Sequence, residues 1–244
     1  MELEKLFQQV NNFTDARFGR RFQPSPEARL RKVRKRLIHE FNCESIIDVG
    51  ANAGQWATGV RKIGYSGKIF SFEPSEAFAS LQVNSQYDSF WFIEKIALSN
   101  YSGVSPFYVS TNKNLSSSLL RPSGILHQNF AFNFEPPIEV NVKRLDSMDF
   151  NDDNLYLKID VQGAEYDVIS GAVGLMPNVS VIEFESSTIQ LYEDEKNHYS
   201  IARLLIDFGF TPRQIVVTHW DDNLATVSLD SIFAKKSSSS VFLL

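Results

Sequence analysis

The sequence predicts an α/β fold in which helices cover both faces of a seven-stranded, mostly parallel β-sheet. Strand-like and helix-like runs alternate from residue 45 onward, which is the order typical of such a sheet. The central strand-like runs are apolar throughout, as strands buried on both faces are. With 244 residues, of which 43% are hydrophobic, the chain is long enough to bury one large core.

The first predicted element is a basic helix over residues 26–41, with Pro26 in its first turn and Ser25 as its cap. Its apolar stripe recurs at helical spacing and consists of Leu30, Val33, Leu37 and Phe41. Nine Arg or Lys residues and one acid lie between Arg17 and Arg36. A solvated helix face would explain these charges, and so would a surface that contacts an anionic glycan or a membrane.

The remaining elements follow in order along the chain. Strands are predicted at 45–49, 68–72, 90–98, 156–161, 179–184, 214–218 and 231–234. Helices are predicted at 53–63, 75–86, 164–173 and 200–208. A variable insert rich in Ser, Asn and Pro occupies residues 101–142. We divide the chain into an N-terminal extension with the basic helix, residues 1–41, and a main domain, residues 42–244.

Composition excludes several classes of protein. The single Cys43 rules out an internal disulfide, and together with four scattered His it gives no zinc-binding spacing. The net charge of −5 and the lack of aromatic residues among the basic ones argue against nucleic-acid binding. No secretory leader or membrane-spanning apolar run is visible, so we expect a cytoplasmic protein.

The loop after the first strand reads DVGANAG, from Asp48 to Gly54, and lies where an open α/β sheet binds its ligand. The dinucleotide fingerprint G-x-G-x-x-G would need a glycine in place of Asn52, whose side chain would crowd a pyrophosphate. Glu73 ends the next strand, where its carboxylate can accept hydrogen bonds from both ribose hydroxyls. Together these features predict a nucleoside site rather than a dinucleotide site.

Six motifs occur in order along the chain: IIDVGANAGQWA, FSFEPSEAF, KIALSN, NLSSSLL, LKIDVQGAEYDVISGA and IEFESSTIQLYE. Over about residues 43–234 they resemble the FkbM family of S-adenosylmethionine-dependent methyltransferases. DVGANAG alone indicates only a class I methyltransferase, whereas LKIDVQGAE with the later LYE is much more specific. The resemblance implies a Rossmann-like class I methyltransferase fold. It also implies methyl transfer from S-adenosylmethionine, usually to a hydroxyl on a sugar, glycan or secondary metabolite.

The resemblance further implies which residues bind S-adenosylmethionine. The loop residues that match those around the methionine part are Asp48, Gly50, Asn52 and Gly54. Glu73 matches the acid that binds the ribose, and Pro74 and Ser75 flank the adenosine. Ala97 ends the third strand, where the adenine edge is expected, and Asp160 lies beside the transferable methyl group.

Methyl transfer to an alcohol needs alignment of the reactants and a base that removes the hydroxyl proton. Asp160, Glu183 and His219 are the candidate catalytic residues, because each lies at or near a strand end. Strand alternation puts Lys158 on the same side as Asp160, where an ion pair would offset the burial of the lysine. Alternation also puts Glu183 and Glu185 on one face of the fifth strand.

The leading interpretation is therefore an S-adenosylmethionine-dependent O-methyltransferase with a small-molecule or glycan acceptor. A nicotinamide-dependent oxidoreductase is the first alternative, and Asn52 disfavours it. A noncatalytic cofactor-binding protein of the same fold is the second. Asp160 and Glu183 could hold a divalent metal, but two carboxylates fall short of a metal cage, so a metal is possible and not favoured. The run LSSSL at residues 115–119 is either a polar lid over the site or an ordinary loop.

Overall fold

The structure of the protein is a computed structural model that describes residues 25–129, 132–221 and 223–236. Most of the predicted N-terminal extension lies outside these residues. The helices are α1 (Pro26–Glu40), α2 (Gln55–Lys62), α3 (Phe78–Ser85), α4 (Gly124–Asn129), α5 (Glu165–Ser170) and α6 (His198–Asp207). The strands are β1 (Ser45–Val49), β2 (Lys68–Phe72), β3 (Trp91–Glu94), β4 (Ala97–Ser99), β5 (Gly103–Phe107), β6 (Ile138–Arg144), β7 (Leu155–Ile159), β8 (Val179–Ser187), β9 (Thr211–Trp220) and β10 (Thr226–Ala234).

Seven of these strands form the main sheet, in the order β3-β2-β1-β7-β8-β10-β9. The first five strands in that order are parallel, and β10 runs antiparallel to both of its neighbours. The chain builds outward from β1 to β3 on one side and then returns to place β7 on the other side. The strand order therefore reverses between β1 and β7, which is where sheets of this kind bind ligands. This topology confirms the predicted Rossmann-like fold.

Helices cover both faces of the main sheet and bury an apolar cluster on each. On one face the buried helix residues come from α1 and α2 and include Leu30, Leu37, Ala57 and Val60. On the other face they come from α5 and α6 and include Val168, Ile169, Ile201 and Leu205. Each fully buried aliphatic side chain stabilises the fold by about 1.5–3 kcal/mol.

The basic helix α1 packs against β9 and β10 through its predicted apolar stripe. Leu30 and Leu37 are 2% and 1% exposed, and the Ser25 hydroxyl caps the helix by accepting the Ala28 N–H at 3.2 Å. Arg34 is buried as well, whereas the other cations of the helix face outward. Contact of this outward face with an anionic glycan or a membrane stays a prediction.

The predicted third strand, residues 90–98, is in fact two strands. β3 ends at Glu94, whose carbonyl accepts the Ile96 N–H in a tight turn. β4 then leaves the main sheet and pairs with β6 in a separate three-stranded sheet. A continuous apolar run could not show this change, because the partner strand comes from the insert, far along the chain.

No helix in the described ranges has the length and apolarity that crossing a membrane requires. The cytoplasmic location stays a prediction.

Candidate active site

A cleft opens at the carboxyl ends of β1, β2 and β7, where the strand order reverses. It holds about 620 Å³ of empty space and is open to solvent. Six of the residues predicted to bind the cofactor line it: Gly50, Asn52, Glu73, Pro74, Ala97 and Asp160.

The loop after β1 turns sharply because its residues adopt left-handed backbone angles. Gly50 has a φ of 78°, and a Cβ built there would lie 1.9 Å from the Asp160 carbonyl oxygen. Only glycine fits where this loop meets the loop after β7. Asn52 has a φ of 48°, which its short amide tolerates by accepting the Ala53 N–H at 2.8 Å.

Gly54 does not line the cleft, which corrects the expectation that its backbone approaches a ligand. Its φ is 81°, and a Cβ there would lie 2.8 Å from atoms of Leu81 and Trp91. The glycine therefore lets the start of α2 pack closely against α3 and β3.

Glu73 faces the cleft from the end of β2. One carboxylate oxygen accepts the Asn52 N–H at 2.8 Å, and the other accepts the Ser75 N–H at 2.9 Å. These bonds fix the position of the carboxylate, and each oxygen keeps a second lone pair for a ligand hydroxyl. Ser75 is buried and does not line the cleft, so its part in the site is to hold the Glu73 carboxylate in place.

The insert covers one side of the cleft. Residues of the LSSSL run line the cavity, which supports the lid interpretation over an ordinary loop. The Asn52 amide donates to the Lys113 carbonyl at 3.3 Å, and the Ser118 hydroxyl donates to the Val161 carbonyl at 3.3 Å. The insert is therefore joined to the loops after β1 and β7.

A row of polar side chains crosses the main sheet beneath the cleft. Asp48 is paired in register with Lys158, and Lys158 with Glu183, so the three side chains lie on one face. Asp48 is 1% exposed, lies below the cleft wall and accepts the Ser71 hydroxyl at 3.1 Å. Burial raises the pKa of Asp48 to about 7, although Lys158 opposes the shift.

Asp160 reaches the cleft as an anion. The Lys158 Nζ donates to its carboxylate at 3.1 Å, which confirms the predicted ion pair. Burial opposes the ionisation of Asp160, but Lys158 and Gln162 outweigh it and hold the pKa of Asp160 below its usual value. Burial also opposes the charging of Lys158, and the nearby Asp160 and Glu183 raise its pKa nevertheless.

Glu183 lies in the polar row but does not line the cleft, which corrects its prediction as a catalytic residue. Arg34 of α1 donates to both of its carboxylate oxygens, at 2.5 Å and 2.9 Å. The Tyr156 hydroxyl and, at 3.2 Å, the Trp56 Nε1 donate to it as well. Strand alternation predicts its face correctly, but α1 covers that face. With its oxygens occupied, Glu183 also does not join Asp160 in a metal-binding pair.

His219 is likewise remote from the cleft, which corrects its prediction as a base. It is exposed near the end of the edge strand β9. Two strands, β10 and β8, separate β9 from β7. At about 4.8 Å per strand, three spacings separate β9 from β7 by roughly 14 Å across the sheet, so the histidine does not reach Asp160. Within the part of the chain that the structure describes, no group of three or more His, Cys, Asp or Glu is placed to hold a metal ion.

A family model described as the methyltransferase FkbM domain matches residues 48–212. The chain belongs to the FkbM methyltransferase family. This membership confirms the resemblance carried by the six sequence motifs.

Several proteins are similar to this FkbM family member. The 2-O-methyltransferase NoeI of Sinorhizobium fredii is 30% identical over 179 residues, which are 67% of this chain and 71% of that protein. The crystal structure of an FkbM methyltransferase from Methylobacillus flagellatus aligns at 13% identity with a TM-score of 0.47, over 78% of this chain and 43% of that chain. Magnesium protoporphyrin IX methyltransferase from Synechocystis with bound SAM aligns at 10% identity with a TM-score of 0.49, over 85% of this chain and 79% of that chain. This chain thus spans less than half of the Methylobacillus protein.

The two most specific FkbM motifs, QGAE and LYE, pack against each other in the structure. Gly163 has a φ of 96°, and a Cβ there would lie 2.8 Å from the ring of Tyr192. The Tyr192 hydroxyl donates to the Ser116 carbonyl at 2.8 Å. Glu165 accepts the Gly163 N–H at 3.0 Å and the Val161 N–H at 3.1 Å. The motifs thereby hold together the loop after β7, the loop after β8 and the insert.

Glu185 is predicted on the same face of the fifth strand as Glu183 but without a catalytic role, and the structure joins it to the site. The Gln162 Nε2 donates to Asp160 at 2.9 Å and to Glu185 at 3.2 Å. Burial raises the pKa of Glu185 to about 8, and the nearby Asp160 and Asp230 add to the shift. The signal in the sequence was the position of Glu185 two residues after Glu183, on the same face of β8.

Proposed function

We propose that this protein is an S-adenosylmethionine-dependent O-methyltransferase whose acceptor is a hydroxyl on a sugar, glycan or secondary metabolite. The observation that carries this proposal is the Glu73 carboxylate, which faces the cleft beside the glycine turn after β1. Oxygen as the methylated atom is supported by the relative named 2-O-methyltransferase NoeI.

The residues of the cleft fit the three parts of this cofactor. Glu73 would accept hydrogen bonds from the ribose hydroxyls, which are charge-assisted and therefore strong. An apolar wall suits the adenine ring and is formed by Phe72, Ile96 and Leu98. The anionic Asp160 would attract the sulfonium charge of the methionine part. When bound, S-adenosylmethionine supplies a methyl group on a positively charged sulfur, which an alcohol oxygen can attack.

The oxidoreductase alternative fits the cleft less well. A dinucleotide pyrophosphate needs bare backbone at the middle of the turn, and Asn52 places a side chain there. The noncatalytic alternative leaves the same cleft in place, so methyl transfer itself must be measured.

Calorimetry with S-adenosylhomocysteine and with NAD tests the cofactor assignment. We expect S-adenosylhomocysteine to bind and NAD not to bind. Glu73→Ala should weaken the affinity for S-adenosylhomocysteine by about tenfold or more, because hydrogen bonds to a charged group contribute roughly 1.5–3 kcal/mol. Glu76→Ala is the matched control, since Glu76 is an exposed acid on the same loop and does not line the cleft. Equal affinities of the two variants would refute the ribose assignment.

Transfer of a labelled methyl group from S-adenosylmethionine to methyl glycosides of common pyranoses tests the activity. Incorporation into a hydroxyl supports the O-methyltransferase. Binding of the cofactor with no incorporation into any acceptor class would favour the noncatalytic alternative.

A further inference from the structure

A second, smaller cavity lies beside the cleft and shares a wall with it. It is a narrow recess between the loop after β7, the end of β8 and the start of β10, with room for a small polar group. Gln162 lines both the cleft and this cavity. A ligand in the cavity would therefore lie directly beside Asp160 and the cleft.

The lining of the cavity is polar and rich in hydroxyl groups. Its polar side chains are those of Gln162, Glu165, Glu185, Ser186, Ser187, Tyr192 and Ser228. Small hydroxyl and carboxamide groups exchange hydrogen bonds with ligand hydroxyls in both directions, as donors and as acceptors. The chemistry of the wall thus suits a polyhydroxylated ligand better than an apolar one.

Among the titratable side chains that line the cavity, Glu185 is the one placed to act on a ligand. Glu165 is committed to the backbone of its own loop, and the Tyr192 hydroxyl donates to the Ser116 carbonyl. The Gln162 amide donates to Glu185 from the side, and the Glu185 carboxyl also shares a hydrogen bond with Asp160, which fixes it against the boundary with the cleft.

We propose that this cavity receives the reacting hydroxyl of a sugar acceptor, whose ring lies in the adjoining cleft, and that Glu185 is the general base that takes the proton from that hydroxyl. We call this cavity the acceptor cavity. This inference rests on the proposed function and adds to it the place of the acceptor and the identity of the base. Gln162 would position Glu185 and Asp160 relative to each other at the boundary between this cavity and the cleft.

The proposed step moves one methyl group from sulfur to oxygen and one proton from oxygen to Glu185. The acceptor O–H bond breaks, and its proton goes to the Glu185 carboxylate. The hydroxyl oxygen uses an electron pair to form a bond to the methyl carbon. The bond between that carbon and sulfur breaks, and its electron pair stays on sulfur. The products are a methyl ether, S-adenosylhomocysteine and a protonated Glu185, which then releases its proton to water.

The surroundings of Glu185 favour this role. Asp160 at the end of β7 and Asp230 on β10 are like charges that oppose ionisation of Glu185, and Lys158 is the cation that favours it. Glu165 and Tyr192 face the same cavity from α5 and from the loop after β8. With its pKa at about 8, Glu185 binds a proton more tightly than an ordinary carboxylate does, which suits a base for an alcohol. Turnover should therefore rise with pH up to about 8, as Glu185 loses its proton.

Glu185→Gln tests the base, with Glu193→Gln as the control, because Glu193 is an exposed acid on the loop after β8. With a methyl glycoside as acceptor, we expect Glu185→Gln to lower kcat about 10²–10⁴-fold, the range for loss of a general base. Its affinity for S-adenosylhomocysteine should stay within about twofold of wild type, which also shows that it folds, and the rise of kcat with pH should vanish. Wild-type kcat and pH dependence in this variant would overturn the proposal. S-adenosylhomocysteine binding by wild type without methylation of any glycoside would overturn the sugar acceptor.

An infrared titration of the cofactor-free protein gives a readout that does not depend on activity. The wild-type spectrum minus the Glu185→Gln spectrum should contain a carboxylic acid band that disappears as the pH rises through about 8. A carboxyl that is already ionised at pH 6 would overturn the predicted rise of kcat with pH while leaving cofactor binding intact. If wild type fails to bind S-adenosylhomocysteine at all, the proposed function itself fails.

Discussion

At the scale of single residues, the charge of Asp160 is the feature with the clearest consequence for the methyl donor. Its carboxylate is 38% exposed to the cleft, and Lys158 keeps it ionised. S-adenosylmethionine carries a positive sulfur, whereas S-adenosylhomocysteine does not. The anion should therefore discriminate between the donor and its product.

Asp160→Asn should weaken the affinity for S-adenosylmethionine by about five- to tenfold and leave that for S-adenosylhomocysteine nearly unchanged. Two charges a few ångströms apart attract by about 1–4 kcal/mol between bulk water and a protein surface, and partial exposure places this pair nearer the lower figure. Calorimetry with both ligands measures the difference. Asp194→Asn, at an exposed acid of the loop after β8, should change neither affinity. Equal losses for the two ligands would remove the electrostatic role of Asp160.

The sequence predicts those site residues whose positions are determined by neighbouring residues in the sequence. Lys158 and Asp160 are two residues apart on one strand, so alternation alone places them together. Glu73 follows from its position at a strand end. Glu185 is not predicted as a catalytic residue because its contacts with Asp160 and Gln162 depend on the turn after β7, where Gln162 adopts a φ of 56°.

At the scale of secondary-structure elements, the ion pair between Arg34 and Glu183 joins α1 to the centre of the main sheet. The two residues lie 149 positions apart, and their side chains are 6% and 4% exposed. Burial opposes the ionisation of Glu183, but Arg34 outweighs it and lowers its pKa. No local pattern could reveal this partner, which is why the sequence assigns Arg34 to the charged surface and Glu183 to the site.

Arg34→Ala should lower the free energy of unfolding by about 3–5 kcal/mol, because it leaves the Glu183 charge buried without its partner. Chemical denaturation measures this change. Arg31→Ala is the matched control, since Arg31 is an exposed cation of the same helix, and substitutions at such surface positions usually stay within about 0.5 kcal/mol. Similar losses in the two variants would show that the ion pair contributes little.

The strands of the main sheet follow from the sequence because a buried parallel strand is a short apolar run with clear ends. β1 and β2 have the predicted bounds. β8 and β10 are longer than predicted, because their ends pair with each other and carry polar residues such as Ser187 and Ser228. Hydrophobicity predicts the buried part of a strand. It does not predict the part that is a strand only because its backbone pairs with a neighbouring strand.

At the scale of the whole molecule, the site holds more acids than its cations can neutralise. Two buried cations, Arg34 and Lys158, interact electrostatically with five neighbouring acids: Asp48, Asp160, Glu183, Glu185 and Asp230. Arg34 and Lys158 keep Glu183 and Asp160 ionised. Burial raises the pKa of Asp230 to about 6, and the values for Asp48 and Glu185 are higher still.

The free energy of unfolding should therefore fall as the pH rises from 6.5 to 8. Asp48, Glu165 and Glu185 have folded-state pKa values of about 7 to 8, well above those of unfolded carboxyls. The folded chain thus holds protons that the unfolded chain has already released, and the stability they confer is lost as the pH passes through the folded values. Chemical denaturation of the cofactor-free protein across this range measures the slope.

Glu165→Gln should flatten that slope by up to about 1.4 kcal/mol per pH unit, the effect of one proton. The amide oxygen of the introduced glutamine can still accept the Gly163 N–H, so the loop after β7 should keep its structure. Glu139→Gln, at an exposed acid, serves as the control. Stability that rises over this range in wild type would contradict the assignment of protonated acids to the folded state.

The contact between Gly163 and Tyr192 has a consequence for how sequences of this family can diverge. Because a Cβ at residue 163 would meet the tyrosine ring at 2.8 Å, neither position can change freely while the other stays as it is. Because φ at residue 163 is 96°, a relative with a side chain there must also change the backbone of this turn. It should carry a smaller residue at the second position, and its insert should reach the loop after β7 by another bond. The two positions should therefore vary together among relatives, although they lie in two separate loops of the chain.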